Sequence, residues 1–109
     1  MSAPAPFVTT LRARRSTIRI APEGGSEITI RVEMPEVWDV VRVVAAPTQP
    51  VIDAKTAALN ALFPEAAPAE MVVKLRGWEV LDEMASLADS GVVDGSILVM
   101  MFRRRRPVR

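Results

Sequence analysis

In "PTQPVIDAKTAALNALFP", residues 47–64, the spacing of the apolar positions changes from two to about 3.6, and that change decides the fold. Val51, Ala54, Lys55, Ala58 and Leu62 fall at i, i+3, i+4, i+7 and i+11, which predicts one long helix over residues 49 to 63. Thr48 is placed to cap it, and Pro50 fits the first turn, where an amide proton has no helical partner to lose. Asp53 sits near the positive end of the helix dipole, and Pro64 stops the helix. The apolar stripe is narrow and built of small residues, which suits close packing on a sheet.

On both sides of the helix the period is two. "STIRIAPEGGSEITIRVEMP" holds two alternating runs, residues 17 to 20 and 27 to 33, split by Pro22 and the Gly24, Gly25 turn pair. In the second run Ile28, Ile30 and Val32 share a face. "DVVRVVAA" follows, with Val41, Val43 and Ala45 on one side and Val40, Arg42 and Val44 on the other, so the two runs make a hairpin through "MPEVW". After a Pro and Ala loop, "MVVKLRG" reads as a strand closed by Gly77. "WEVLDEMASLADSGVVDGS" is irregular, with Leu81, Leu87 and Val92 as anchors and turns at Asp89, Gly91, Asp94 and Gly95. Residues 97 to 102 form the last strand. The predicted core is Ile28, Ile30, Val32, Val41, Val43, Val51, Ala54, Ala58, Leu62, Val73, Leu75, Leu87, Val92, Leu98 and Met100. Whether residues 17 to 20 add a strand is left open.

A chain of 109 residues, half of them apolar, has the size of one small domain. Cysteine and histidine are both absent, so a disulfide scaffold and a structural zinc site are excluded, and no metal ligand set is expected. No run approaches the roughly 18 apolar residues of a membrane span, and the basic residues of the first segment follow the apolar ones, the wrong order for a secretory signal. A cytoplasmic location is expected. The net charge of +1 conceals segregation: Arg12, Arg14, Arg15 and Arg19 lie near the start, and Arg103, Arg104, Arg105, Arg106 and Arg109 at the end. All thirteen acids fall between Glu23 and Asp94, so residues 20 to 102, with five basic residues, carry −8. The expected organisation is a flexible basic arm over residues 1–16, a domain over 17–103 and a basic tail over 104–109.

The element order resembles ubiquitin and the β-grasp fold. "APTQPVIDAKTAAL" is similar to ubiquitin's helix entry, with Pro47, Thr48, Val51 and Lys55 at the matching positions. "SLADSGVVDGSILVMMFR" is similar to its last loop and final strand, from Leu87 through Val92, Leu98 and Met100 to Arg103. The likeness covers roughly residues 27 to 106 and implies an α+β fold, a single ubiquitin-like β-grasp domain with one main helix packed across a mixed sheet. It also implies that the strand over 97 to 102 lies beside that over 27 to 33. Within the superfamily the "SLADSGVVDGSILVMM" stretch looks most like the YukD/EsaB type, the bacterial ubiquitin-like proteins of type VII secretion, which are taken to act by noncovalent contact. Ubiquitin itself ends in Gly-Gly for conjugation. This chain ends in Arg106, Pro107, Val108 and Arg109, so no conjugation is expected, and Gly24 and Gly25 read as a turn.

No catalytic constellation is present. The acids are scattered, Asp82 and Glu83 read as a solvated turn face, and Ser86, Ser90 and Ser96 have no histidine to activate them. "EGGS" lacks the Lys and helix of a phosphate loop. The expectation is a non-enzyme without cofactors or a small-molecule substrate, an adaptor or regulatory subunit whose partner is a protein with an acidic surface. The resemblance places the contact face at Val72, Lys74, Val99 and Met101, with Lys74 where ubiquitin's patch has its central Ile. Trp38, in the predicted hairpin loop, is added to this face, although Trp38 and Trp78 both read first as partly buried packing residues. The Arg103, Arg104, Arg105, Arg106 and Arg109 tail exceeds what stopping a strand requires and is expected to dock. Two alternatives are an anionic membrane or nucleic-acid binder working through the arginine arms and an accessory subunit of a multicomponent enzyme.

Overall fold

The structure is a computed structural model, and it describes residues 17–103. The arm over 1–16 and the tail over 104–109 lie outside the described residues. Six strands and one α-helix follow in the order β1 (Thr17–Arg19), β2 (Ile28–Met34), β3 (Asp39–Ala45), α1 (Val51–Leu62), β4 (Met71–Leu75), β5 (Trp78–Glu79) and β6 (Ile97–Phe102). They form one mixed sheet in the spatial order β1-β3-β2-β6-β4-β5. β2 and β3 are the antiparallel hairpin, and β6 enters beside β2 in parallel, pairing Val32 with Leu98 and Glu33 with Val99. β4 lies antiparallel on the far side of β6, with Val72 opposite Met101 and Lys74 opposite Val99.

α1 packs on β3 and β2, and the side chains between helix and sheet are the core. Alternation decides which residues enter it: Ile30, Val32, Val41, Val43, Val73, Leu75, Leu98 and Met100 point to the helix and are buried, while their strand neighbours face the other way. A slip of one residue would exchange the faces, and the burial of Leu98 and Met100 against half-exposed Val99 and Met101 fixes the expected register. Ala54 and Ala58 let the helix backbone approach the sheet.

Several local expectations are corrected. α1 starts at Val51, and its cap is Pro50, in extended conformation with no side-chain cap, so Thr48 does not cap it. The hydroxyl stands two residues too early to reach the first free amides. Carbonyls of the irregular segment satisfy them: Val51 N–H donates to Ala85 O at 3.0 Å and Ile52 N–H to Glu83 O at 2.8 Å. Gln49 reinforces this junction, accepting from Ala46 N–H at 2.8 Å and donating to Ile20 O at 3.0 Å. Ile28 and Leu62 are only partly buried, while Met34, Leu59 and Met71 join the core. Leu81 is exposed and no anchor. The run over 17 to 20 does add a strand, the parallel edge strand β1 beside β3. β5 was not expected: Arg76 and Gly77, both at positive φ, make a two-residue turn that folds Trp78 back opposite Leu75.

Candidate functional site

The sheet face away from α1 collects the outward residue of each strand. Arg42 on β3 lies in register with Arg31 on β2, which pairs with Ile97 on β6. One step along, Val40, Glu33, Val99, Lys74 and Glu79 cross all five strands from β3 to β5, and Met101 and Val72 form the next pair. The expected contact residues Val72, Lys74, Val99 and Met101 are therefore brought together as adjacent cross-strand pairs. Ile97, at 45% exposure, extends the apolar strip and was missed, although its place in the alternation with Val99 and Met101 is visible in the sequence.

The strip is not uniformly open. Val72 is only 7% exposed, because it stands on the strand between β6 and β5 with Met101 beside it. Arg103 bridges the same strand: its backbone N–H donates to Glu70 O at 2.7 Å, its Nε to Ala69 O at 3.4 Å, and its guanidinium lies 3.8 Å from the Glu79 carboxylate. Arg103 is thus engaged with its own domain. Arg104, Arg105, Arg106 and Arg109 lie outside the described residues. β1 sits at the sheet edge beside β3, so among the described residues no strand covers this face.

Lys74 is half exposed in this strip. Glu79 is its cross-strand partner in register, yet that carboxylate pairs with Arg103 and not with Lys74. Among the described residues the Lys74 ammonium has no hydrogen bond or ion pair. Arg42 opposite Arg31 is a second unbalanced position, since like charges directly opposed across strands repel; Arg31 has Glu33 at 3.8 Å, and Arg42 makes no ion pair among the described residues. The local charge of the face is therefore cationic although the folded body is acidic.

Trp38 closes the β2 to β3 hairpin after a short 3-10 turn over Pro35–Val37. It is 91% exposed, correcting the expectation of a packing residue, and adopts a left-handed backbone at φ 54°. Its turn reaches the end of β6, where Phe102 N–H donates to the Glu36 carboxylate at 3.3 Å. Trp78 is also exposed, at 80%. Glu83 is the other correction. It is no solvated turn residue, because its carboxylate receives two hydrogen bonds from the Lys55 ammonium, at 2.9 and 3.0 Å, and Lys55 is buried at 2% exposure.

Several other polar side chains are occupied structurally. Ser86 accepts from Asp89 N–H and Ser96 from Val93 N–H, both closing turns, and Asp94 accepts from Thr29 N–H at 2.7 Å. Among the described residues no buried side-chain nitrogen or oxygen lacks a partner, and no cluster of carboxylates is arranged to hold a metal ion. No described helix is long and apolar enough to cross a membrane.

No family model and no curated protein matches the sequence. Solved structures do match. A ubiquitin-like domain from Arabidopsis thaliana superposes with a TM-score of 0.63 at 17% identity, covering 81% of this chain and 89% of that one. Ubiquitin of Caldiarchaeum subterraneum gives 0.62 at 18% identity, with 75% and 100% covered. The C-terminal ubiquitin-like domain of mouse tubulin-specific chaperone e gives 0.63 at 12% identity, with 80% and 97% covered. The fold is the ubiquitin-like β-grasp. At these identities the likeness is one of fold alone, and none of these three neighbours is described as a YukD-type protein or a secretion component. β1 stands outside the β2 to β6 arrangement that the resemblance implies, as an added edge strand.

Proposed function

We propose that this ubiquitin-like domain is a noncatalytic adaptor or regulatory module that binds an acidic protein surface by noncovalent contact through the strip around Lys74. The observation that carries the reading is the Lys74 ammonium, unpaired among the described residues and set beside Val99 and Met101 while its in-register carboxylate is held by Arg103. Burying this cation against an apolar partner would cost several kcal/mol, so the fitting partner offers Asp or Glu opposite it, with apolar side chains for Ile97, Val99 and Met101. Arg31 and Arg42 extend the preference for negative charge.

Trp38 supports the same reading. A bulky side chain in a left-handed backbone costs about 1 kcal/mol, and at 91% exposure the fold recovers almost nothing from it. An indole protruding from a hairpin turn is a side chain of the kind that anchors interfaces. The finer parts of the proposal are a cytoplasmic role as a YukD-type component of a type VII-like secretion system, supported by the "SLADSGVVDGSILVMM" resemblance, and a contribution of Arg104, Arg105, Arg106 and Arg109 to docking, supported by their excess over what ends a strand.

The test is co-purification of the tagged full chain from its native cells, beside Lys74→Glu and Met101→Asp variants whose melting is checked. A stoichiometric protein retained by the parent and lost from both folded variants is the expected result. Retention by both variants would place the contact elsewhere, and salt-sensitive recovery of nucleic acid instead would favour the anionic-surface reading.

A further inference from the structure

A second surface lies at the β5 edge of the sheet, next to the strand that carries Lys74. Residues 78 to 84 place three large apolar side chains in water, Trp78 at 80%, Leu81 at 84% and Met84 at 73% exposure. Leaving one such side chain exposed forgoes about 2 kcal/mol, so a cluster of three within one short segment is a cost that core packing does not explain. Trp78 and Leu81 line a groove of about 370 Å³ whose apolar lining also includes Leu75, Val80 and Ala85. That volume falls within the roughly 300–1,000 Å³ range of small-molecule pockets, enough room for one large side chain.

The charge around the groove is the reverse of that on the Lys74 face. Glu79, Asp82 and Asp89 line it against one cation, Arg76. Arg76 is turned toward the loop, donating to Gly91 O at 3.3 Å. Glu79 is paired with the Arg103 guanidinium at 3.8 Å, so the rim carboxylates without a cation among the described residues are Asp82 and Asp89. The two-residue turn at Arg76 and Gly77 fixes Trp78 opposite Leu75, and the Val80 N–H bond to Val73 O at 2.8 Å ties the strand's exit, so the β5 wall of the groove is held by the sheet.

We propose that this groove is a second binding site, which takes a partner segment consisting of one large apolar side chain flanked by arginine or lysine. The apolar side chain lies between Trp78 and Leu81, and its basic neighbours meet Asp82 and Asp89. The chain then has two recognition surfaces of opposite sign, the Lys74 strip for an acidic partner and the β5 groove for a basic one. This site does not depend on the reading of the Lys74 strip.

The test uses the two indole N–H resonances of the ¹⁵N-labelled full chain, one from each tryptophan, assigned with Trp78→Phe. The probe is a capped RRLRR peptide, with EELEE as its counterpart. RRLRR should shift the Trp78 indole saturably and leave Trp38 in place, EELEE should shift neither, and added salt should weaken the effect. Asp82→Asn combined with Asp89→Asn should weaken binding at least about fivefold with the melting midpoint kept, and a Lys74→Glu change should not weaken it. Absence of a saturable Trp78 shift, or equal affinity in the doubly neutralised variant, would overturn the proposal. Deleting residues 104 to 109 should leave the affinity unchanged, and a rise of about tenfold would show that the chain's own tail fills the groove and overturn its assignment to a partner.

Discussion

Lys55 and Lys74, the two lysines of the chain, lie on opposite sides of the same sheet and meet opposite electrostatic fates. Lys55 comes from α1, is buried, and has both carboxylate oxygens of Glu83 within 3.0 Å. Lys74 comes from β4, is half exposed, and sees its natural cross-strand partner Glu79 engaged by Arg103. On the helix side the fold satisfies its own charge. On the outer side it places a cation among apolar residues with no counter-charge paired to it among the described residues, which is the physical basis of the proposed adaptor role.

The difference can be broken first at Glu83. Glu83→Gln leaves the Lys55 charge buried and uncompensated, which should cost about 3 kcal/mol and lower the melting midpoint by more than about 10 °C. Lys55→Met, which removes the charge and keeps the volume, should stay within about 1 kcal/mol of the parent in the same melt. A small loss for Glu83→Gln would mean that the pair is not what tolerates burial of Lys55. Next in size is Trp38→Gly, which relieves the left-handed backbone and should leave stability unchanged or raise it by up to about 1 kcal/mol in urea unfolding, while weakening retention of the partner. Arg103→Ala should cost under about 1 kcal/mol, as expected for an exposed pair with two backbone bonds, one of them through the main chain that alanine keeps. Smallest is Lys74→Met, which should move the midpoint by less than about 0.5 kcal/mol in either direction.

Periodicity made the helix, the β2 to β3 hairpin, β4, β6 and the two faces of β6 legible, because a period of two or about 3.6 is a direct imprint of burial on one side. The resemblance at the helix entry and final strand supplied the order of β6 against β2, which no local pattern encodes. The Lys55 position was visible on the apolar stripe, but its partner was not, since Glu83 lies 28 residues away and its neighbour Asp82 gives it the look of a solvated turn. β5 was hidden by its length of two residues and by Arg76, a non-glycine residue at positive φ. Trp38 and Trp78 were misjudged for a shared reason: aromatic residues normally follow burial, and only the backbone geometry of the two hairpins shows that both indoles are carried into solvent. The contact strip was legible through alternation and resemblance together, whereas the diversion of Glu79 to Arg103 depends on side-chain geometry.

Amine acylation read by mass spectrometry tests the contrast most directly, because Lys55 and Lys74 are the chain's whole set of lysine amines. In the native chain Lys74 should react rapidly and Lys55 only on unfolding; in the co-purified complex Lys74 should become protected and Lys55 should remain so. Equal reactivity of Lys74 in the free and bound chain, or rapid reaction of Lys55 in the folded one, would contradict the assignment of one lysine to recognition and the other to the core.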